Sequence, residues 1–151
     1  MMKTQSIVHP VRLGNQPLYA FLVQFPVVCF VGTLLSDVAY WRTNLFIWET
    51  FSVWLVTAGC VTAGLTGIVG LVCFLGDRRA RGWRFAWPHA LTSLFAALLS
   101  VVNAFVHSRD GYTAVVPDGL ILSVLVVLLM ALTAGMGWHR TESVARVGVV
   151  A

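Results

Sequence analysis

Four histidines, His9, His89, His107 and His139, are the side chains of this chain with the widest chemical reach. A neutral imidazole ligates haem iron or a transition metal, and two imidazoles from facing helices make an axial pair for haem b. His89 follows Pro88 at the start of one apolar segment, and His139 follows Trp138 at the end of the next. Antiparallel helices would bring these two to one level, with His9 on the same side and His107 on the other. His89 with His139 or His9 is therefore the candidate cofactor-binding set. The competing reading is that histidines beside arginines at the ends of apolar segments meet water or lipid headgroups. No Cys-x-x-Cys spacing, phosphate loop, nucleophile elbow or acid/base pair accompanies them, so the sequence assigns no catalytic residue and no metal site. Asp37 and Glu49 read as solvated caps at the edges of apolar segments. Asp77 reads as an ion-pair partner of the arginines around it.

The elements that must position these residues follow from the spacing of charge. No Asp, Glu, Lys or Arg occurs between Arg12 and Asp37, Glu49 and Asp77, Arg84 and Arg109, or Asp118 and Arg140. Each interval meets the roughly 20 residues that a helix rising 1.5 Å per residue needs to cross hydrocarbon. At 151 residues, 58% hydrophobic and 11% charged, there is room for one bundle and no soluble domain. The expected fold is an all-α integral membrane four-helix bundle, antiparallel and up-down-up-down. Its spans lie at about 17–40, 48–76, 86–106 and 117–138, flanked by segments 1–16 and 139–151. The first apolar stretch is too long for a cleaved signal and lacks a small-residue cleavage site, so it reads as a retained span.

Basic residues set the expected orientation. Lys3, Arg12, Arg78, Arg79, Arg81, Arg84, Arg140 and Arg146 fall on one side and only Arg42 and Arg109 on the other. The excess belongs on the cytoplasmic side, which places both termini there. The net charge of +4 thus reflects topology and anionic lipid rather than nucleic acid. Arg78, Arg79, Arg81 and Arg84 form the densest cluster, suited to anionic headgroups or to docking an acidic partner.

Within the spans, Gly59, Ala63, Gly67 and Gly70 make a small-residue notch, widened by Gly64. Such a notch admits another helix closely. Internal packing is the favoured use, and another chain the alternative. Pro26 removes the amide that would bond the Leu22 carbonyl. The neighbouring Gln24 is expected to satisfy that carbonyl or to bond an adjacent helix. Cys29 and Cys60 fall at similar depth and read as small hydrophobes rather than as a disulfide. Asn103 is expected to face helices or water.

The run Gln16-Pro-Leu-Tyr-Ala-Phe-Leu-Val-Gln-Phe-Pro26 and the run Phe30-Val-Gly-Thr-Leu-Leu-Ser-Asp-Val-Ala-Tyr-Trp41 carry a resemblance. So do Ala63-Gly-Leu-Thr-Gly-Ile-Val-Gly-Leu71, Trp87-Pro-His89 and the ending Arg146-Val-Gly-Val149. Together they resemble domain-of-unknown-function family 2231, a bacterial four-span membrane family. The resemblance covers most of the chain. It implies a bacterial inner-membrane protein of four helices and no established activity. Where the family pattern has a His-Pro pair, an Asp and a His, this chain has Gln16 and Tyr19, Cys73, and Val147; of that polar set His89 remains.

Two functions stay open on these residues. The first is a non-catalytic accessory, structural or assembly subunit of a larger bacterial membrane complex, with a respiratory complex among the candidates. The second is a small electron-transfer protein binding haem b or a metal through His89 with His139 or His9.

Overall fold

The structure is a computed structural model. It describes residues 16–76, 86–109 and 115–149, the side chains of 16–18 and 138–149 excepted. Four helices account for the described chain: α1 (Gln16–Thr43), α2 (Phe46–Gly76), α3 (Ala86–His107) and α4 (Leu120–Val149). A single wider turn, Val115–Gly119, leads into α4 and contains a cis Val116–Pro117 peptide. All four are long and apolar enough to cross a membrane. The chain is a multi-pass, all-helical membrane protein.

The helices outrun the charge-free intervals from which they were read. α1 continues to Thr43 rather than ending near 40, and the backbone of α4 continues to Val149 rather than 138. A charge marks where hydrocarbon becomes expensive, whereas a helix ends where its backbone is capped. At the end of α1 that cap is Asn44. Its φ of 53° is left-handed, and its amide donates to the Tyr40 carbonyl at 2.7 Å. Asn44 and Leu45 alone join α1 to α2, which makes the two helices antiparallel neighbours.

Contacts along that pair keep one register: Tyr19 lies against Gly70, Leu22 against Thr66, Phe30 against Gly59, and Asp37 against Ser52. Phe74 with Trp87 and Cys60 with Ser100 join α2 to α3. Thr92 with Thr133 and Asn103 with Ser123 join α3 to α4. Successive helices therefore run in opposite directions.

The interior is more polar than a soluble core. Among the described residues, eight buried hydrophobic ones stand against ten buried polar or charged ones. Large apolar side chains such as Phe21, Val28, Leu35, Trp54, Ile68 and Phe105 instead point outward. With hydrocarbon outside, apolar burial gives helices little reason to associate, and close packing with interhelical hydrogen bonds must do so. A small apolar cluster of Phe30, Val56 and Val126 still fills the centre, with Cys60, Ala63, Leu99, Ala104 and Met130 against it.

Pro26 illustrates how the bundle repairs its own defects. It leaves the Leu22 carbonyl without a helical donor, and the hydroxyl of Thr66 on α2 lies 3.3 Å from that oxygen. The same hydroxyl also lies 2.7 Å from the Thr62 carbonyl, so one proton serves two acceptors. Gln24, expected from sequence to fill this role, is exposed on the outer surface. Its position, two residues beyond Leu22, turns its side chain about 200° around the axis. Thr66→Val keeps the shape and removes the donor. It should destabilise the bundle by about 1 kcal/mol or less, read from unfolding in mixed micelles.

Candidate functional site

The polar residues converge at the end of the bundle where α1 and α3 finish and α2 and α4 begin. Asp37 is at their centre, fully buried, with a partner from each of the other three helices. The hydroxyl of Ser52 on α2 donates to Asp37 Oδ1. Ser123 on α4 donates to Oδ2 at 2.6 Å. His107 on α3 places Nε2 3.0 Å from Oδ1. A carboxylate offers about four lone-pair sites, and three are occupied here.

Local sequence explains each placement. Ser52 and Glu49 lie three residues apart and share a face of α2, as Asn103 and His107, four apart, share a face of α3. His107 Nδ1 lies 3.0 Å from the carbonyl oxygen of Asn103, one turn back. The Asn103 amide nitrogen donates to Ser123 at 2.9 Å, closing a ring of contacts around the carboxylate. Asn103 is 1% exposed, facing helices as its position suggested.

Two acceptors in this region have no hydrogen-bond partner, Asn103 Oδ1 and Glu49 Oε2. Glu49 is 8% exposed. Asp37 and Glu49 are thus not the solvated caps that sequence suggested. A charge at Asp37 reads as the edge of a span, but α1 continues six residues past it to Thr43. That extension, together with the short turn, carries the carboxylate about 9 Å inside the helix end.

The chemistry open to this cluster is limited by its connectivity. Both serines donate to the carboxylate, and neither is hydrogen-bonded to the imidazole. A serine nucleophile needs the imidazole as its base, so the arrangement is not a hydrolytic triad. What it does hold is an ionisable pair inside a membrane bundle, which ordinarily marks a place where charge or protons are handled.

The residues singled out from sequence fall elsewhere. His89 is half-buried near the opposite end of α3, its Nε2 4.0 Å from where a Cβ on Gly137 would stand. Gly137 is on the turn of α4 that carries His139, although the His139 side chain, His9 and the arginines Arg78, Arg79, Arg81 and Arg84 lie outside the described residues. Among the described residues, no group of three His, Cys, Asp or Glu side chains is arranged to hold a metal ion. In the small-residue notch, Gly59 faces the Phe30 ring and Gly70 faces the Tyr19 ring. Ala63 packs on the apolar cluster, and Gly64 and Gly67 have open space before them. Cys29 and Cys60 are free thiols.

Sequence reasoning missed His107 and Asp37 as partners, because 70 residues separate them. The available signal was the Asn103–His107 spacing on one face of the third span, level with the Asp37 end of the first.

The family described as predicted membrane protein (DUF2231) matches residues 15–151, and the chain belongs to it. No curated protein and no solved structure matches the chain.

Proposed function

We propose that this member of the DUF2231 family is a non-catalytic accessory subunit that packs laterally against a larger complex of the bacterial inner membrane. The observation carrying this reading is Gln24, an amide exposed on the outer surface of α1. The α1–α2 register puts Gln24 level with Gly64 and Leu65 of α2. Trp87, the aromatic side chain at the start of α3, touches Phe74 of α2 edge-on at 5.4 Å. Indole rings favour the headgroup level, so Phe74 lies close to that boundary. Nine residues of helix from Phe74 to Leu65 span about 13 Å, which is deep in a hydrocarbon core about 30 Å thick.

An amide facing lipid at that depth loses several kcal/mol relative to one with a polar partner. A transmembrane helix of a different protein, presenting a hydrogen-bonding side chain at mid-membrane, would supply that partner. The open space before Gly64 and Gly67 would let such a helix come close at the same level. In this reading both termini and the loop of Arg78, Arg79, Arg81 and Arg84 face the cytoplasm. The loop then meets anionic headgroups or an acidic part of the same complex.

Mild-detergent extracts of the native membrane should show the chain migrating on native gels with a larger species. Gln24→Leu should release it as a lone bundle of unchanged helical content. A wild-type chain already alone, or a Gln24→Leu chain that stays in the larger species, overturns the reading. Two differently tagged copies that capture each other and nothing else would assign the surface to self-association instead.

A further inference from the structure

We propose that Asp37 and His107 form a proton-binding site, loaded as a carboxylate–imidazolium pair from the end of the bundle that carries Arg42 and Arg109. The inference stands apart from the accessory-subunit reading, because it concerns the interior of the bundle and not its lipid-facing surface.

The donor and acceptor inventory around His107 leads to it. Nε2 faces the Asp37 carboxylate at 3.0 Å, and Nδ1 faces the Asn103 backbone carbonyl at 3.0 Å. The carbonyl only accepts, and so does Asp37 as a carboxylate, the form that the two serine hydroxyls donating to it favour. A neutral imidazole has one N–H, which would leave one of these contacts as two lone pairs facing each other. An imidazolium donates to both. The ring therefore holds a hydrogen on each nitrogen, and the pair as a whole is neutral, the form in which two ionisable groups are best tolerated out of water.

The surroundings give the site one open direction. Toward the bundle centre, Val56 lies one turn below Ser52, Val126 one turn below Ser123, and Phe30 two turns below Asp37. The buried hydroxyls at this level, Thr33 and Ser100, donate to carbonyls of their own helices, Cys29 at 2.9 Å and Ala97 at 2.8 Å, and neither is hydrogen-bonded to Asp37 or His107. Toward the helix ends, His107 is the last residue of α3 and Glu49 lies in the first turn of α2. Glu49 Oε2 and Asn103 Oδ1, the two acceptors without partners, are where a water or hydronium ion can donate.

The ionisable and charged groups around the pair come from every helix end. Tyr40 is buried and Arg42 exposed on α1, Glu49 is buried on α2, Arg109 follows α3 and is exposed, and Asp118 is exposed in the turn before α4. Loading is a simple transfer. A hydronium ion gives its proton to the imidazole and leaves as water, while the Asp37 carboxylate keeps its charge and its two serine donors.

Nitrogen-15 NMR of histidine-labelled protein in lipid nanodiscs at pH 7 tests the site, with His107→Gln identifying the signals. Both ring nitrogens of His107 should carry a hydrogen in the wild type, and only one in Asp37→Asn. A wild-type ring with a bare nitrogen overturns the proposal, as does an Asp37→Asn ring that keeps both hydrogens. If Asp37→Asn does not fold, the wild-type spectrum decides alone. Glu49→Gln should slow exchange of the ring hydrogens with solvent, and an unchanged rate overturns the assigned direction of loading.

Discussion

Replacing His107 by leucine costs the bundle about 3–4 kcal/mol at neutral pH, and adding Asp37→Leu recovers most of that loss. The single substitution strands a carboxylate that is fully buried and keeps only Ser52 and Ser123 as donors. The group must then stay charged out of water or take up a proton. For a carboxylic acid of ordinary strength, holding a proton at pH 7 costs about 4 kcal/mol, which bounds the penalty. Removing Asp37 alone is milder, because an ordinary imidazole sheds its proton near neutrality at almost no cost. Ser52 and Ser123 can then turn to carbonyls of their own helices, as Thr33 does with Cys29 and Ser93 with His89. The double variant replaces an ion pair by apolar groups of similar size, a change that is often neutral or stabilising. Equilibrium unfolding of the three variants in mixed micelles gives the cycle. Losses that simply add, or a larger loss from Asp37→Leu than from His107→Leu, would show that the pair is not the unit described.

Gly59→Val should cost about 2–3 kcal/mol, while Gly67→Ala should leave stability unchanged within about 0.5 kcal/mol. Both glycines belong to one small-residue notch by sequence, yet their surroundings differ. A Cβ at Gly59 would stand 2.6 Å from Cε1 of Phe30 and 2.9 Å from Cδ1. Phe30 is 5% exposed and packs with Val56 and Val126, so its ring has little room to retreat. A β-branched side chain worsens the overlap, since it is restricted to one rotamer in a helix. Gly67 has no atom within 4 Å of its added carbon. Phe30→Leu in the Gly59→Val background should return part of the loss by shortening the opposing side chain. Equal sensitivity at the two glycines would mean that the notch acts as one continuous groove.

This contrast shows how far pattern reading reaches. The Gly59–Gly70 notch was visible as spacing, but spacing does not say which side of α2 meets α1. The rotation of α2 was fixed by contacts from elsewhere, Ser52 with Asp37 at one end and Tyr19 with Gly70 at the other. The histidines show the same limit. His89 and His139 flank spans symmetrically and so read as a facing pair. Of the two histidines whose side chains are described, His107, at the end of the third span, is the buried one, 2% exposed and paired.

The solvent, the number of spans and their alternation are legible in the order of the residues alone. The reason is energetic: a charge in hydrocarbon costs so much that charge-free intervals of some 20 residues have few other meanings. Membership of DUF2231 followed from runs that extend over most of the chain. That Asp37 is an interior residue, that Thr66 rather than Gln24 meets the Leu22 carbonyl, and that four helices share one carboxylate emerge from the packed bundle. Those facts depend on helix rotation and on where each helix ends. Both are set by a few contacts between residues far apart in the chain, and a period or a charge gap carries no record of them.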